Sequence, residues 1–245
     1  MNNVHIAAAF PAQNLNTFKA HTAGSNGTLI AVILDESGSM GSCRDATIAG
    51  FNEFVQGQRA ATGAGEAYLS LIKFDAPHIK TVYENVNVKE VAPLSHVTYT
   101  PNGGTNLMDA IGQTLNRINQ LLSVHAQADR PGVLMVIITD GAENASREFS
   151  GEQIKAMVKA AEASDWTFTF LGANVDAFSM GSTFGMNTAN TVPYSTASMA
   201  ATMSVLNEAT VRVRAAKSAG VSTAEIYSQS MYSDADRVKT MGSGS

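Results

Sequence analysis

Two carboxylates and three hydroxyls stand where this chain is best placed to do chemistry. Asp35, Ser37 and Ser39 follow the unbroken apolar run Leu29–Leu34, within Asp35-Glu36-Ser37-Gly38-Ser39-Met40. Thr105 follows the turn Asn102-Gly103-Gly104, and Asp140 follows a second apolar run, Val133–Ile138, within Ile138-Thr139-Asp140-Gly141. These groups offer oxygen only, with no thiolate and no imidazole among them. Hard divalent cations prefer such donors, and Mg²⁺ takes about six oxygens at roughly 2.0–2.1 Å while keeping some waters. Such a shell has Ser37, Ser39 and Thr105 binding directly. Asp35 and Asp140 then accept hydrogen bonds from metal-bound water and hydroxyls. Mostly neutral ligands leave the ion electrophilic and ready for an outside carboxylate. Mn²⁺ and Ca²⁺ suit the same donor types.

Each candidate has a plainer role to set beside this one. Ser37 and Ser39 can cap the following helix, and Asp140 can open a turn; capping does not account for all three segments together. Glu36, between two candidate ligands, is expected to face solvent. Asp109 falls in a first helical turn, where a carboxylate favours the helix dipole. Glu143 and Asn144, just past Asp140, are candidates for a partner-binding rim. Cys43 reads as a small, half-buried packing residue. The histidines His5, His21, His78, His96 and His125 lack ligand spacing, which argues against zinc. The Met199/Met203 stripe reads as core.

The elements that must position these groups follow from periodicity. A fully apolar run reads as a strand buried on both faces, as in a parallel sheet covered by helices. Strands are expected at about 28–35, 67–74, 79–88, 133–138, 166–171 and 188–193. The third should be an antiparallel edge strand, because the Asp75-Ala76-Pro77 turn separates it tightly from the second. Helices are expected at about 44–61, from Leu107 through Leu122, around Ile154–Ala161, and at about 196–217, with a short one at 176–180. Residues 89–104 carry no clear pattern. Strands alternating with helices give an α/β fold: three-layer, doubly wound, with a mainly parallel central sheet and one antiparallel edge strand. In such a sheet the carboxyl ends of the strands open on one edge, where ligands bind. Asp35, Thr105 and Asp140 can therefore converge although they lie 70 and 35 residues apart in sequence.

The expected organisation is an N-terminal arm at 1–27, a domain at 28–217 and a C-terminal tail at 218–245. The arm carries Val4, Ile6, Phe10, Leu15 and Phe18. The tail carries Ile226, Tyr227, Met231, Tyr232 and Val238, and its final Gly-Ser repeat is left out of the fold. At 245 residues, with 44% hydrophobic and 15% charged residues, the chain has material for a sizeable core. A net charge of −5 with no basic stripe argues against nucleic acid as partner. No apolar run approaches the roughly 18–20 residues of a membrane helix. The N-terminus lacks a basic stretch before its short apolar patch, and the single Cys43 cannot form an internal disulfide. Both point to a cytoplasmic protein.

Asp-Glu-Ser-Gly-Ser-Met, Gly-Gly-Thr-Asn and Ile-Thr-Asp-Gly, in this order, resemble the metal-ion-dependent adhesion site of von Willebrand factor type A (vWA) domains. That pattern is Asp-x-Ser-x-Ser, a later Thr and a later Asp, matched here by Asp35, Ser37, Ser39, Thr105 and Asp140. The resemblance spans about 28–217. It implies a Rossmann-like α/β fold with Mg²⁺ or Mn²⁺ at the top of the sheet, completed by a partner's Asp or Glu. It also implies a non-enzymatic protein-binding module of the cytoplasmic bacterial or phage type. Partners in such settings include AAA+ ATPases and phage or assembly components. The alternatives are a structural subunit of a phage particle or other assembly, virion-associated, and a Mg²⁺-dependent phosphohydrolase. The hydrolase reading resembles haloacid-dehalogenase-type enzymes, but these use Asp-x-Asp, and Ser37 holds the place of the second carboxylate. No Gly-x-x-x-x-Gly-Lys loop is present for nucleotide phosphates.

Overall fold

The computed structural model describes residues 27–173 and 176–242. The arm residues Val4, Ile6, Phe10, Leu15 and Phe18 lie outside the described residues. Six strands of the described residues form one sheet: β1 (Thr28–Asp35), β2 (Ala67–Asp75), β3 (His78–Asn87), β4 (Gly132–Thr139), β5 (Trp166–Ala173) and β6 (Thr191–Tyr194). Their order is β3-β2-β1-β4-β5-β6. Only β3 runs antiparallel, against β2 at the edge; the other pairings are parallel.

Among the described residues seven α-helices accompany the sheet: α1 (Arg44–Ala60), α2 (Leu107–Ser123), α3 (Gly151–Ala163), α4 (Ala177–Thr183), α5 (Met199–Ser218), α6 (Thr223–Ser228) and α7 (Asp234–Met241). The side-chain period of two in a strand sorts β1 into two cores. Ile30, Val32 and Leu34 pack with Phe51 and Phe54 of α1 and with Met203 and Leu206 of α5. Leu29, Ala31 and Ile33 pack with Ile111 and Leu115 of α2 and with Ile154 and Val158 of α3. Every residue of β1 is buried, and each fully buried Leu or Ile side chain contributes roughly 1.5–3 kcal/mol. A strand covered on both faces needs no polar alternation, which is why β1 and β4 read as continuous apolar runs. Helix α1 lies against α5 where Gly50 and Gly57 leave room: a Cβ there would fall 2.6 Å from Met203 Cγ and 2.2 Å from Asn207 Oδ1.

The order puts a topological switch between β1 and β4, since the chain leaves β1 first toward β2 and later resumes beyond it at β4. Leu34 is level with Ile138, so Asp35 and Thr139 emerge side by side at the carboxyl edge.

Residues 88–106, which include the stretch 89–104 that carries no pattern in sequence, cross that edge from β3 to α2. They hold an ordered path because one polar stripe of α1 grips them. Arg59 donates to the carbonyls of Val88 (2.7 Å) and Val91. Asn52 exchanges hydrogen bonds with the backbone of Leu94. Arg44 donates to the carbonyls of His96 and Tyr99.

After α5 the chain forms α6 and α7, with Ile226, Met231 and Tyr232 buried in the α1/α5 core and Val238 exposed. Both helices start at serine caps, Ser222 and Ser233. Strand β6 pairs with β5 only along Phe170–Ala173. Beyond it, the Tyr227 hydroxyl accepts from the Phe168 N–H (2.9 Å), and Thr223 and Tyr232 meet Thr167 and Thr169. No helix among the described residues is long and apolar enough to cross a membrane.

Candidate metal centre

The five residues of the sequence pattern meet at the switch point. Asp35 ends β1 fully buried, and both of its carboxylate oxygens have protein donors. Oδ1 accepts from the Ser37 N–H at 2.7 Å and Oδ2 from the Thr139 hydroxyl at 2.5 Å. Ser37 occupies the cap position at the start of a 3₁₀ segment, Gly38–Cys43, and Ser39 lies within it, their hydroxyl oxygens 3.1 Å apart. The Ser39 hydroxyl donates to Asp140 Oδ1 at 2.5 Å. Neither Ser37 nor Cys43, at the two helical starts, makes a side-chain cap. The plain capping role for Ser37 is therefore not the one taken.

Thr105 is buried between the two strand ends. A Cβ placed on Gly141 would fall 2.8 Å from Thr105 Oγ1 and 3.4 Å from Ser39 Oγ. Glycine there keeps open a small oxygen-lined cradle. Asp140 Oδ2 faces burial with no hydrogen-bond partner among the described residues. A buried oxygen without a partner costs roughly 1–3 kcal/mol, more when charged.

Burial pushes both carboxyls up. Asp35 rises to about 6, with desolvation outweighing the hydrogen bonds from Thr139 and Ser37 and the charge of Asp140 adding to the rise. Asp140 rises for the same reason, opposed by its bond from Ser39. Two desolvated carboxylates, one of them with an unpartnered oxygen, and three hydroxyl oxygens fit a hard divalent cation. Among the described residues no group of three or more His, Cys, Asp or Glu forms an alternative centre.

The surrounding shell contains residues the sequence reading did not assign. Thr139 orients Asp35, and its carbonyl accepts from the Tyr194 hydroxyl at 3.2 Å. The Tyr99 hydroxyl donates to the Asp35 carbonyl at 2.6 Å. Only Thr139 had a local signal, its place between the apolar run and Asp140.

Glu36 corrects an expectation. It does not face solvent: it is 8% exposed and pairs with the equally buried Lys73 of β2, whose Nζ lies 2.6 Å from both carboxylate oxygens. Its direction depends on a lysine one strand away, which local pattern cannot show.

The expected rim residues divide. Asn144 is exposed, and its Oδ1 accepts from the Thr105 N–H at 2.9 Å while its own N–H donates to the Thr105 carbonyl at 3.0 Å. The Glu143 carboxylate turns inward, accepting from the backbone of Met108, Ala145 and Ser146 and from the Ser146 hydroxyl. Asp109 accepts from the N–H groups of Arg147, Glu148 and Phe149, a wider task than complementing a helix dipole. Glu143 and Asp109 together strap the loop after Asp140 to the start of α2. Around the opening, Gly38, Ser39, Gly41, Ser42, Asn102 and Ala142 are exposed, small or uncharged.

No family model matches the chain, and no curated protein matches it by sequence. Solved structures do resemble it. Proximal thread matrix protein 1 from the mussel byssus aligns with a TM-score of 0.54 at 12% identity, over 74% of this chain and 47% of that one. A structure of the same mussel protein with a zinc-occupied MIDAS motif aligns at 0.54 and 11%, over 74% and 47%. The pilus adhesin SpaC from Lactobacillus rhamnosus GG aligns at 0.57 and 14%, over 76% of this chain and 30% of that one. The chain thus spans less than half the length of these structures. At such identities the likeness is one of fold, and the fold is the vWA-type, Rossmann-like α/β sheet.

Proposed function

We propose that this chain is a metal-dependent, non-enzymatic protein-binding module that captures an acidic side chain of a partner at the carboxyl edge of its sheet. Ser37, Ser39 and Thr105 would hold a divalent cation, Mg²⁺ or Mn²⁺, with Asp35 and Asp140 behind them. The observation that carries the reading is Asp140 Oδ2, a buried carboxylate oxygen with no partner among the described residues, beside a cradle that only glycine at 141 leaves open. A cation there supplies the electrophilic centre that an incoming carboxylate completes.

The chain's own groups divide the remaining work. Asp35, held by Ser37 and Thr139, fixes the turn that presents both serine hydroxyls. Asn144 holds Thr105 by its backbone and stays exposed, placed to meet the partner. With Glu143 spent on backbone donors, the rim offers an incoming Asp or Glu little repulsion.

The non-enzymatic part rests on what surrounds the hydroxyls. The hydrogen bonds of Ser37 and Ser39 run to each other and to Asp140, with no imidazole or amine of the described residues as base. Lys73, the nearest buried amine on β2, spends its donors on Glu36 and Thr98.

The test is capture from native lysate by the full chain, in Mg²⁺ and in parallel in EDTA, with Thr105→Ala alongside. Retention of a partner only by wild type in Mg²⁺ is expected. Equal retention in EDTA, or by Thr105→Ala, would contradict the reading.

A further inference from the structure

We propose that the buried Glu36–Lys73 pair is a positioning device that sets the Thr105 loop against the Asp35 turn and so tunes the affinity of the metal centre; the inference rests on the metal-binding reading above. Thr105 arrives from a crossover whose one helical turn, Val88–Glu90, lies at its far end, and something must hold it to a turn 70 residues earlier.

The grip is a series of contacts that starts at alternate residues, Thr98, Thr100 and Asn102, and continues at Gly103 and Gly104. Lys73 Nζ donates to both Glu36 oxygens and, with its remaining N–H, to the Thr98 carbonyl at 2.7 Å. Glu36 Oε1 also accepts from the Thr100 N–H at 2.6 Å. The Glu36 carbonyl accepts from the Asn102 N–H at 2.8 Å. The loop then continues through the Gly103 carbonyl, which accepts from Gly38 N–H at 3.1 Å, and the Gly104 carbonyl, which accepts from Ala76 N–H at 2.8 Å. Thr105 is the next residue. Lys73 itself is fixed in the sheet, level with Leu34 just before the metal turn.

Stability alone is a poor reason to keep such a pair. Taking two charges out of water is costly, and an apolar pair of similar size is often equally stable or more so. Leucine and methionine cannot, however, satisfy the Thr98 carbonyl and the Thr100 N–H. The outer grip of α1 on Leu94 and Tyr99 through Asn52 and Arg44 does not involve the pair. The double variant Glu36→Leu/Lys73→Met is therefore expected to fold with its loop released at Thr98 and Thr100, so that only backbone bonds at Asn102, Gly103 and Gly104 still set the approach to Thr105.

The experiment uses the full chain with Mn²⁺ as probe, read by the loss of the free-ion electron paramagnetic resonance signal, with thermal unfolding in EDTA run in parallel. The double variant is expected to melt cooperatively near wild type while binding Mn²⁺ about tenfold more weakly, the scale of outer-shell effects at metal sites. Glu36→Gln, which keeps an acceptor for Thr100 but not the charge, should also lose affinity, by about threefold or more. A folded double variant binding within about threefold of wild type would overturn the inference. Should the double variant not fold, Glu36→Gln decides alone, and unchanged affinity in it would overturn the inference. A wild-type chain that takes up no Mn²⁺ would instead remove the metal reading itself, a distinct result.

Discussion

The two strand ends that meet at the switch point look alike in sequence and differ in structure. Asp35 and Asp140 each terminate a buried apolar strand, and burial raises both carboxyls. Asp35 has protein donors on both oxygens and a tyrosine on its carbonyl. Asp140 has one donor, Ser39, and its other oxygen is left unmatched. One end is finished by the protein and organises the turn. The other is left unfinished, and an unfinished buried carboxylate is what a cation would complete.

The difference can be broken most severely at Asp140. Asp140→Ala is expected to lower Mn²⁺ affinity about a hundredfold or more, while metal-free stability stays within about 1 kcal/mol of wild type, since a half-partnered buried charge is removed. Asp35→Ala should also lose Mn²⁺, but it strands the Ser37 N–H and leaves the Thr139 hydroxyl only its longer bond to the Gly141 carbonyl. Measured at pH 5, where Asp35 is largely neutral and no buried charge is relieved, its denaturant unfolding should show a cost of about 1–3 kcal/mol. Equal metal-free stability in the two variants would erase the distinction.

Acid should act next. A metal ligand sphere must shed its protons, so with Asp35 at about 6 the Mn²⁺ affinity should fall roughly tenfold from pH 7 to pH 5. The sign for metal-free stability is opposite. A carboxyl raised above its unfolded value of 3.8 binds more protons folded than unfolded, so its contribution is present in acid and lost as pH rises from about 4 through about 6. Melting in EDTA should thus favour the acid side of that window for this group, and melting in Mg²⁺ should not. Acid scans that coincide with and without metal would count against the pair of carboxyls as its holders.

Thr139→Val tests the finished end more gently. It removes one donor from Asp35 and should weaken Mn²⁺ binding by about tenfold, with the fold intact. Gly141→Ala should have the smallest effect, a few-fold loss of affinity, as its Cβ crowds Thr105 Oγ1. An affinity unchanged in Gly141→Ala would show that the cradle is not where the ion sits.

Much of this arrangement was legible in the chain because burial on both faces leaves a plain mark. The runs Leu29–Leu34 and Val133–Ile138 read as interior strands, whose carboxyl ends share an edge in a parallel sheet. The antiparallel edge strand followed from a tight turn. What stayed hidden was decided across strands and loops. Glu36 turns inward because Lys73 is level with Leu34 on the adjacent strand. Glu143 turns inward because the start of α2 presents the Met108 N–H to it. The path of residues 88–106 depends on Arg44, Asn52 and Arg59, whose grip is polar and carries no hydrophobic period. Helices α6 and α7 are short, and their signals were caps: Ser222, and the Ser233–Asp236 capping box.

The most direct test of the account is a Mn²⁺ titration of the full chain beside Asp140→Ala, at neutral pH, with metal-free melts to verify folding. One ion bound per wild-type chain, and affinity weaker by about a hundredfold or more in a variant that melts like wild type, is the expected result. Equal binding by both proteins, or none by either, would contradict a cation held at the unfinished strand end.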